Sequence, residues 1–401
     1  MEVKRGGRAP LLLIILYIEV EEKSSFFFRC VLSFMTMDMI RIQGVIKNYD
    51  WGGKEYLQSL FGKRDVKPQA EYWMGTHPSG EAVTEKGEPL SSVSGTLPFL
   101  FKVLSIASPL SLQCHPTKAQ AEEGWKRETV LRESGKPYNY QDDNEKAEVL
   151  SALTPVTALC GFRKLEDIKA SLSMSIPLSY GKYYSGLDSI KDIFLSSFSF
   201  GEDVKKEILG ELSSTVTQSE IPSLEGEYLT EYGIVRETLG KYPGDIGSVF
   251  PLMMNVMHLR PFEAVYLEPD TLHAYIKGNG IELMTASDNV LRGGLTPKRV
   301  DIKELERIMY FGPTSASAID ENEEGRVIWY LTPSPDFSLG YVNRSEAVVT
   351  LDKPSIILSL GSSVVNGVEL KRGDCCFIRE SDEPIQIKTS GTLYIATGKR
   401  D

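Results

Sequence analysis

The chain has 401 residues, of which 41% are hydrophobic and 25% are charged, and its formal net charge is −11. This composition is typical of a globular protein and excludes a disordered or fibrous one, while the length predicts two or three domains. The acidic balance argues against a nucleic-acid-binding protein, which would carry a basic surface. An anionic ligand would therefore need a local basic pocket within a repulsive overall field.

The first 38 residues lack the pattern of a folded domain. Lys4, Arg5 and Arg8 precede the apolar run 11–18, as in a signal peptide, but Glu19 follows at once. A helical membrane span needs about 20 apolar residues, so no membrane partner is expected. We expect residues 1–38 to be a non-core extension; a native segment, a targeting signal and a mis-assigned start remain open. The five cysteines form no disulfide framework, which favours a reducing, cytoplasmic compartment.

Strand and helix patterns alternate along the rest of the chain. From 41 to 160, short apolar runs broken by Gly, Pro, Asn and Ser predict strands, apart from a charged segment over 117–133 that predicts a helix. Between 165 and 239 the apolar period becomes helical, with Val204, Ile208 and Leu212 spaced by four. Strand texture returns at 251, one helix is predicted over 301–311, and short strands follow from 326.

One nine-residue pattern occurs twice. Residues 259–267 and 370–378 both read Leu, base, x, x, acid, x, x, aromatic, aliphatic. The repeat alone is weak evidence of a duplication, but together with short strands it favours two related β-sandwich or jelly-roll units. We therefore predict a mainly β protein with two jelly-roll barrels and an inserted α-helical domain. The predicted division is 39–160 and 246–318 for the first barrel, 161–245 for the helical insert and 319–401 for the second barrel. No histidine follows His273, so only the first barrel could hold a histidine-ligated metal.

Three segments carry groups that could ligate a metal. Alternation along one predicted strand places Ser111, Gln113 and His115 on the same face. Taken alone, this strand pattern is typical of a polar strand face. The acid-rich segment 142–148 is typical of a solvated turn, and a single histidine such as His273 is more often structural than a ligand. Together, two imidazoles, a carboxylate and an amide oxygen would suit a catalytic zinc ion, although imidazoles also bind copper, iron and nickel.

Charged residues in apolar surroundings provide a second set of candidates. Lys102 interrupts an apolar strand, where it either binds an anion or extends to the surface. Segment 287–298 combines a Gly-Gly bend with Arg292 and Lys298, and such a loop can bind phosphate. Glu282 lies in an apolar run, either neutralised by a partner or tuned as a base. The chain has no Walker loop and no Rossmann glycine motif, so nucleotide chemistry is unsupported.

From residue 41 onward, the chain resembles type I phosphomannose isomerases. The densest blocks are 48–52, 70–80, 97–118, 142–148 and 272–298. The resemblance implies a catalytic cupin domain divided by a helical domain, and a second, metal-free cupin-like domain. It also implies interconversion of D-mannose 6-phosphate and D-fructose 6-phosphate, with one zinc ion per chain. We further expect a monomer.

The resemblance also implies roles for individual residues. Gln113, His115, Glu148 and His273 match the zinc ligands of the family. Arg292 matches its catalytic arginine, and Lys102, Ser111, Lys146, Glu282, Asp288 and Lys298 match polar residues that line its pocket. His77 and His258 are interpreted as structural. The chain departs from the family pattern at two positions. Glu145 replaces a histidine at the pocket edge, which puts a proton-relay role there in doubt. Phe262 replaces a glycine in a turn.

The implied isomerisation moves a proton between C2 and C1 through a cis-enediol(ate), and it would feed mannose catabolism or GDP-mannose synthesis. A base with a pKa near the working pH is needed; Glu282, Lys298 and a zinc-bound water are candidates, with Glu282 preferred. Lys102, Ser111 and Lys146 are expected to hold the phosphate. The alternatives are a cupin that binds sugar without turnover, an isomerase of another aldose phosphate, and an iron-dependent oxygenase, against which Gln113 argues.

Overall fold

The structure is a computed structural model that describes residues 39–400, and the predicted extension 1–38 lies outside this range. Strands β1 to β8 are Met39–Gln43, Val45–Lys47, Glu71–Met74, Val83–Thr84, Phe99–Ile106, Gln113–Cys114, Glu148–Ala152 and Val156–Phe162. Strands β9 to β16 are Leu224–Glu225, Tyr228–Leu229, Met254–Leu259, Ala264–Leu267, His273–Thr285, Leu291–Arg292, Glu321–Glu324 and Val327–Tyr330. Strands β17 to β24 are Phe337–Asn343, Glu346–Thr350, Ser355–Ser359, Ser363–Val365, Val368–Leu370, Cys375–Ile378, Pro384–Thr389 and Thr392–Gly398. The described chain is therefore mainly β, as predicted.

The α-helices include those predicted near 117–133, 202–212 and 301–311. They are Tyr56–Phe61, Ser91–Ser94, Lys118–Arg127, Thr129–Glu133, Leu165–Ser175, Pro177–Ser179, Ile190–Ser199, Glu202–Gln218, Glu231–Lys241 and Ile302–Ile308. A π-helical turn covers Tyr180–Tyr184 and a 3₁₀ helix covers Ile246–Leu252. The helix at Lys118 begins where it does because Thr117 and Gln120 form a reciprocal capping box. None of the helices in residues 39–400 is long and apolar enough to cross a membrane.

All of the helices between 165 and 241 lie between two neighbouring strands of one sheet. The chain leaves that sheet at the end of β8, forms these helices, and returns as β11, which pairs antiparallel with β8. A core of buried apolar residues joins the helices to the sheet; it includes Phe162, Phe194 and Phe250. The helical segment therefore interrupts the sequence of the sheet without separating its strands.

The long strand β13 organises the ten-stranded sheet, because it pairs with β5, β6, β7 and β8. In its register with β5, Glu282 stands opposite Lys102, and Leu283 stands opposite Phe101. Side chains alternate between the two sides of a strand, so these pairs point in opposite directions. We call the side of β3, β5, β7 and β13 that carries Lys102 and Glu282 the front face, and the side that carries Phe101 and Leu283 the back face.

The back face packs on the eight-stranded sheet, whose strand order is β15-β16-β17-β24-β19-β22-β1-β4. One apolar core contains residues of both sheets, among them Phe101, Leu283 and Phe377. Within it, the hydroxyl of Ser151 on β7 hydrogen-bonds the hydroxyls of Tyr330 at 2.7 Å and Tyr394 at 2.8 Å. A four-stranded sheet, β18-β23-β20-β21, completes the C-terminal part of the described chain.

The repeated nine-residue pattern forms the same turn in both copies. Before β12 the turn ends at Glu263, and before β22 it ends at Asp374; each carboxylate accepts the backbone N–H of the basic residue three positions earlier. The third turn residue has a positive φ in both, 76° at Phe262 and 89° at Gly373. A phenylalanine is strained there. The ring of Phe262 stacks on Tyr341 at 5.2 Å, so packing against the second sheet compensates the loss of the glycine.

Candidate active site

A cavity of about 880 Å³ opens on the front face. Seven of the predicted site residues line it: Lys102, Ser111, Gln113, Lys146, Asp288, Arg292 and Lys298. The other four are buried beside it and contact the lining: Glu282 through Lys102, Glu148 and His115 through Lys146, and His273 through its strand pairing with Gln113. The fold thus brings residues that are up to 196 positions apart in sequence to one cavity.

Three of the four predicted metal ligands form a compact cluster. The ligand atoms of His115, Glu148 and His273 all lie within 4.8 Å of one another. The Nε2 atoms of the two histidines lie 3.4 Å and 3.5 Å from the carboxylate oxygens of Glu148. Each Nδ1–H donates to a backbone carbonyl, that of Asn289 for His115 and that of Thr271 for His273. Both rings therefore present Nε2 to the same point.

The charge states of His115 and Glu148 are those that a metal requires. Burial, with the neighbouring ammonium of Lys146, lowers the pKa of His115 to about 4, so the ring is neutral at physiological pH. Burial by itself raises the pKa of Glu148, but Lys146 and the imidazoles outweigh it and hold that pKa well below the ordinary value. Neutral imidazoles and an ionised carboxylate are the forms in which these side chains ligate metals.

Gln113, the fourth predicted ligand, lies on a neighbouring strand. It stands directly opposite His273 in one pairing and opposite Arg292 in the other. Regular strand geometry in the predicted strand 110–115 is limited to Gln113–Cys114, because Leu112 instead exchanges backbone hydrogen bonds with the Gly293–Gly294 bend. Two imidazole nitrogens, a carboxylate and an amide fit a zinc ion, which takes nitrogen and oxygen ligands in catalytic sites.

The front face also carries a buried ion-pair triad. The Nζ of Lys102 lies 2.8 Å from Glu282 and 3.8 Å from Glu71, on the two strands that flank it. Burial lowers the pKa of Lys102, but Glu282 and Glu71 outweigh it and raise the pKa above the ordinary value. For Glu282, burial dominates and raises the pKa despite the attraction of Lys102. A carboxylate with a raised pKa beside a fixed ammonium can act as a base.

Two further cations differ from these lysines because they lack carboxylate partners. Neither Arg292 nor Lys298 makes an ion pair with another residue of 39–400. The proximity of Arg292, followed by burial, lowers the pKa of Lys298, and burial lowers that of Arg292. The carboxylate of Asp50 on the same wall attracts Lys298 without forming an ion pair with it. Two neighbouring cations without ion-pair partners on a cavity wall favour an anionic ligand there.

The replaced histidine position, Glu145, does not line the cavity. Its carboxylate accepts the backbone N–H of Lys118, the first residue of the 118–127 helix. An acidic group at this end of a helix is favourable because of the helix dipole. The departure at 145 is therefore accounted for by a helix contact.

The two histidines interpreted as structural occupy different surroundings. His258 stacks on Tyr228 and hydrogen-bonds a backbone carbonyl through Nε2. His77 lies on the cavity wall, with Nε2 3.4 Å from Asp288, and its contact lowers the pKa of that carboxyl. The sequence interpretation did not foresee this cavity position for His77.

Sequence reasoning also missed two other residues of the site. Glu71 was overlooked because its role depends on a partner two strands away in the chain. Asn289 was overlooked because an asparagine after Ser287 and Asp288 is typical of a surface loop. Asn289 is in fact 0% exposed. A signal that could have found it is its position between the long strand that carries Glu282 and the Gly-Gly bend.

Comparison with known proteins gives a consistent result. Residues 39–165 match the model of the phosphomannose isomerase type I catalytic domain. The chain is 30% identical to mannose-6-phosphate isomerase of Escherichia coli over 88% of its own length and 98% of the relative. It is 32% identical to the human mannose-6-phosphate isomerase, over 83% and 85% of the two chains.

Solved structures agree in fold. A mannose 6-phosphate isomerase with zinc bound superimposes with a TM-score of 0.80 at 30% identity, covering 90% of this chain and all of the other. A variant of phosphomannose isomerase from Salmonella typhimurium gives 0.79 at the same identity and coverage. With its catalytic-domain match, full-length relatives and the His-Glu-His cluster, the chain belongs to the type I phosphomannose isomerase family of enzymes, the mannose-6-phosphate isomerases.

Proposed function

We propose that the chain is a zinc-dependent aldose–ketose isomerase that interconverts D-mannose 6-phosphate and D-fructose 6-phosphate through a cis-enediol(ate). The observation that carries the proposal is the placement, around one cavity, of the His115–Glu148–His273 cluster, the Lys102–Glu282 pair and two cations, Arg292 and Lys298, that form no ion pair within the described residues. These are respectively a metal site, a base with its counter-ion, and an anion site. An aldose–ketose isomerisation of a sugar phosphate needs a base for the proton, a group that stabilises charge on oxygen and a cation for the phosphate.

The metal site would hold one zinc ion per chain through His115, Glu148, His273 and Gln113. When bound, zinc supplies Lewis acidity and orientation for the substrate oxygens at C1 and C2. The residues of the chain contribute the form of the site: both imidazoles are fixed by backbone carbonyls, and Glu148 is ionised.

Glu282 is the residue that moves the proton. Its carboxylate takes the proton from C2 of the aldose and returns it to C1, while the hydroxyl proton of O2 passes to O1 at the enediol(ate) stage; in the reverse reaction the same carboxylate takes the proton from C1. The Lys102 ammonium at 2.8 Å keeps this carboxylate oriented on the front face. Burial raises the pKa of Glu282, which makes its ionised form a stronger base than an exposed glutamate.

Arg292 and Lys298 interact with the negative charges of the substrate. Arg292 stands opposite Gln113, next to the proposed ligands, and stabilises charge that develops on oxygen. Lys298, with Ser111, holds the phosphate. Lys102 and Lys146 each form an ion pair with a carboxylate, so their positive charge is largely offset. The sequence analysis expected these two lysines to hold the phosphate. We instead propose that they bind the sugar hydroxyls, together with Asp288.

We further propose a monomer that acts in the cytoplasm, in mannose catabolism or GDP-mannose supply. The fold we propose for it is two cupin-type jelly-roll barrels, 39–160 with 246–318 and 319–401, and a helical domain inserted at 161–245. The paired β8 and β11 at the limits of the helical segment support this division, and so does the shared turn of the two repeats.

The test of the function is isomerisation in deuterated water. Purified full-length protein is incubated with mannose 6-phosphate, and the fructose 6-phosphate is analysed for deuterium at C1 by NMR. Turnover with deuterium at C1 is expected, because a base-held proton exchanges with solvent during a fraction of the turnovers. Deuterium at C1 would support proton transfer through a base, and absence of turnover in zinc-loaded protein would contradict the function.

A further inference from the structure

Asn289 is a buried amide in a loop between β13 and β14. A buried polar side chain must find hydrogen-bond partners inside the protein, and the amide of Asn289 finds them all in one segment. Its Oδ1 accepts the backbone N–H of Gln141 at 2.7 Å. Its Nδ2 donates to the carbonyls of Asp142 at 2.9 Å and Asn144 at 2.8 Å. The side chain thus fixes segment 141–144 in one position.

The backbone of the same residue fixes a proposed metal ligand. The carbonyl of Asn289 accepts the Nδ1–H of His115 at 2.8 Å. This bond sets the tautomer and the rotation of the ring, leaving Nε2 toward Glu148. One residue therefore joins the imidazole of His115 to segment 141–144.

We call the contacts between Asn289 and segment 141–144 the junction. The chain on each side of this junction leads directly to site residues. Segment 141–144 continues into Lys146 and Glu148, and the chain after Asn289 continues into Arg292. Ser287 strengthens the junction, because its hydroxyl donates to the carboxylate of Asp142 at 2.8 Å and accepts the N–H of Asn289 at 3.2 Å. A displacement of the Asn289 amide would therefore move groups from three parts of the site together.

We propose that Asn289 is a positioning residue of the metal site: it orients His115 and keeps the segment that bears Glu148 in fixed relation to the segment that bears Arg292. The proposal rests on the proposed zinc-dependent function. It requires an amide in particular, because the side chain both donates and accepts, and a carboxylate at the same place could only accept.

The test is the zinc affinity of Asn289→Asp, measured on purified full-length protein by competition with a chromophoric chelator. The substitution keeps the shape of the side chain but removes the Nδ2 donor. It also places a second carboxylate beside Asp142, whose Oδ1 lies 3.1 Å from Nδ2 of Asn289 in the wild-type protein. Loss of such supporting contacts weakens metal affinity by roughly 10–100-fold, and we expect a loss in this range. With zinc at saturation, kcat should fall while the KM for mannose 6-phosphate changes little.

Gln69→Glu is the matched control. Gln69 is 2% exposed, its amide donates to the carbonyl of Lys63 at 2.8 Å, and it does not line the cavity. The same amide-to-carboxylate change should therefore leave zinc affinity within about twofold. If Asn289→Asp fails to fold, Ser287→Ala decides, since it loosens the same junction and should weaken zinc binding several-fold.

Unchanged zinc affinity in the folded Asn289→Asp protein, or in Ser287→Ala where it decides, would overturn the proposal. An equal loss in Gln69→Glu would overturn it as well, because the effect would then be general. Wild-type protein that binds zinc but does not isomerise mannose 6-phosphate would contradict the proposed function alone, and the zinc measurements would still test Asn289. Wild-type protein that binds no zinc would contradict both.

Discussion

The front and back faces of β3, β5, β7 and β13 are made by alternate residues of the same strands. On β5 the front face carries Lys102 and the back face carries Phe101. On β13 the front face carries Glu282 and the back face carries Leu283. All four side chains are buried, with Lys102 the most exposed at 6%. The back face is covered by a second sheet, and the front face by the walls of the cavity.

The difference shows that burial serves two purposes in one sheet. On the back face, apolar side chains leave water and stabilise the fold. On the front face, burial holds charged groups in a low-dielectric site at a cost in stability, because desolvation of an ion pair often exceeds its attraction. Substitutions on the front face should therefore change rates and metal binding, and those on the back face should change the free energy of unfolding.

The largest effect on the front face is expected for Glu282→Gln. The amide keeps the shape but cannot take a proton, and general-base catalysis contributes roughly 10²–10⁴ in rate, so kcat should fall by that factor. In wild type, burial raises the pKa of Glu282. The acid limb of kcat/KM should therefore lie above the ordinary glutamate value, with activity lost as pH falls through it. Activity close to wild type in Glu282→Gln would show that another group is the base.

On the back face, Phe101→Ala should have the largest effect. The ring is 0% exposed in the core between the two sheets, and truncation of a buried phenylalanine costs about 3–5 kcal/mol of unfolding free energy. Urea denaturation measures this loss, and Phe101→Leu, which leaves a smaller cavity, should lose less. The folded Phe101→Ala protein should keep wild-type zinc affinity and kcat; a large loss of either would mean that the faces are not separable.

Arg292→Ala tests the charge on the cavity wall. Removal of one preorganised group that stabilises a developing oxyanion costs about 10²–10³ in kcat. Because Arg292 makes no ion pair within the described residues, its loss leaves no buried carboxylate unpaired, and the midpoint of thermal unfolding should stay near that of wild type. Arg292→Lys should recover part of the rate. An effect on KM alone would assign Arg292 to substrate binding only.

The smallest effect is expected for Ser151→Ala on the back face. Its hydroxyl links β7 to Tyr330 and Tyr394 of the second sheet, and loss of a buried hydrogen-bond partner costs about 1–3 kcal/mol. Ser355→Ala is a control of the same kind, since that hydroxyl bonds Thr397 within the eight-stranded sheet. Both variants should lower stability to a similar degree with zinc affinity unchanged. A zinc defect in Ser151→Ala alone would connect the back face to the metal site.

The sequence predicted the kinds of elements well, but it could not assign the faces of the sheet. Along β5, every residue is buried, so no alternation of polar and apolar residues separates front from back. Lys102 and Glu282 were recognisable as exceptions in apolar runs, yet their pairing depends on the register of β5 with β13. That register is a property of the folded sheet.

The candidate site was predictable where a family motif carries it. His115, Glu148 and His273 were assigned from the resemblance, and the structure brings them together. Each segment alone favoured a polar or structural role, and only the three together suited a metal site. The position of Asn289 in the chain was a signal, but its contacts were not predictable, because its partners lie about 145 positions earlier in the chain. The helix contact of Glu145 depends on tertiary packing in the same way.

The measurement that tests the central claim most directly is the metal dependence of turnover. Purified full-length protein is assayed with mannose 6-phosphate in a coupled reaction as isolated, after removal of metal by a chelator, and after zinc is restored. Activity that is lost with the metal and recovered with zinc is the predicted result, and it would establish the reaction and the zinc requirement together. Folded, zinc-loaded protein without turnover, or full activity after verified removal of the metal, would contradict the account.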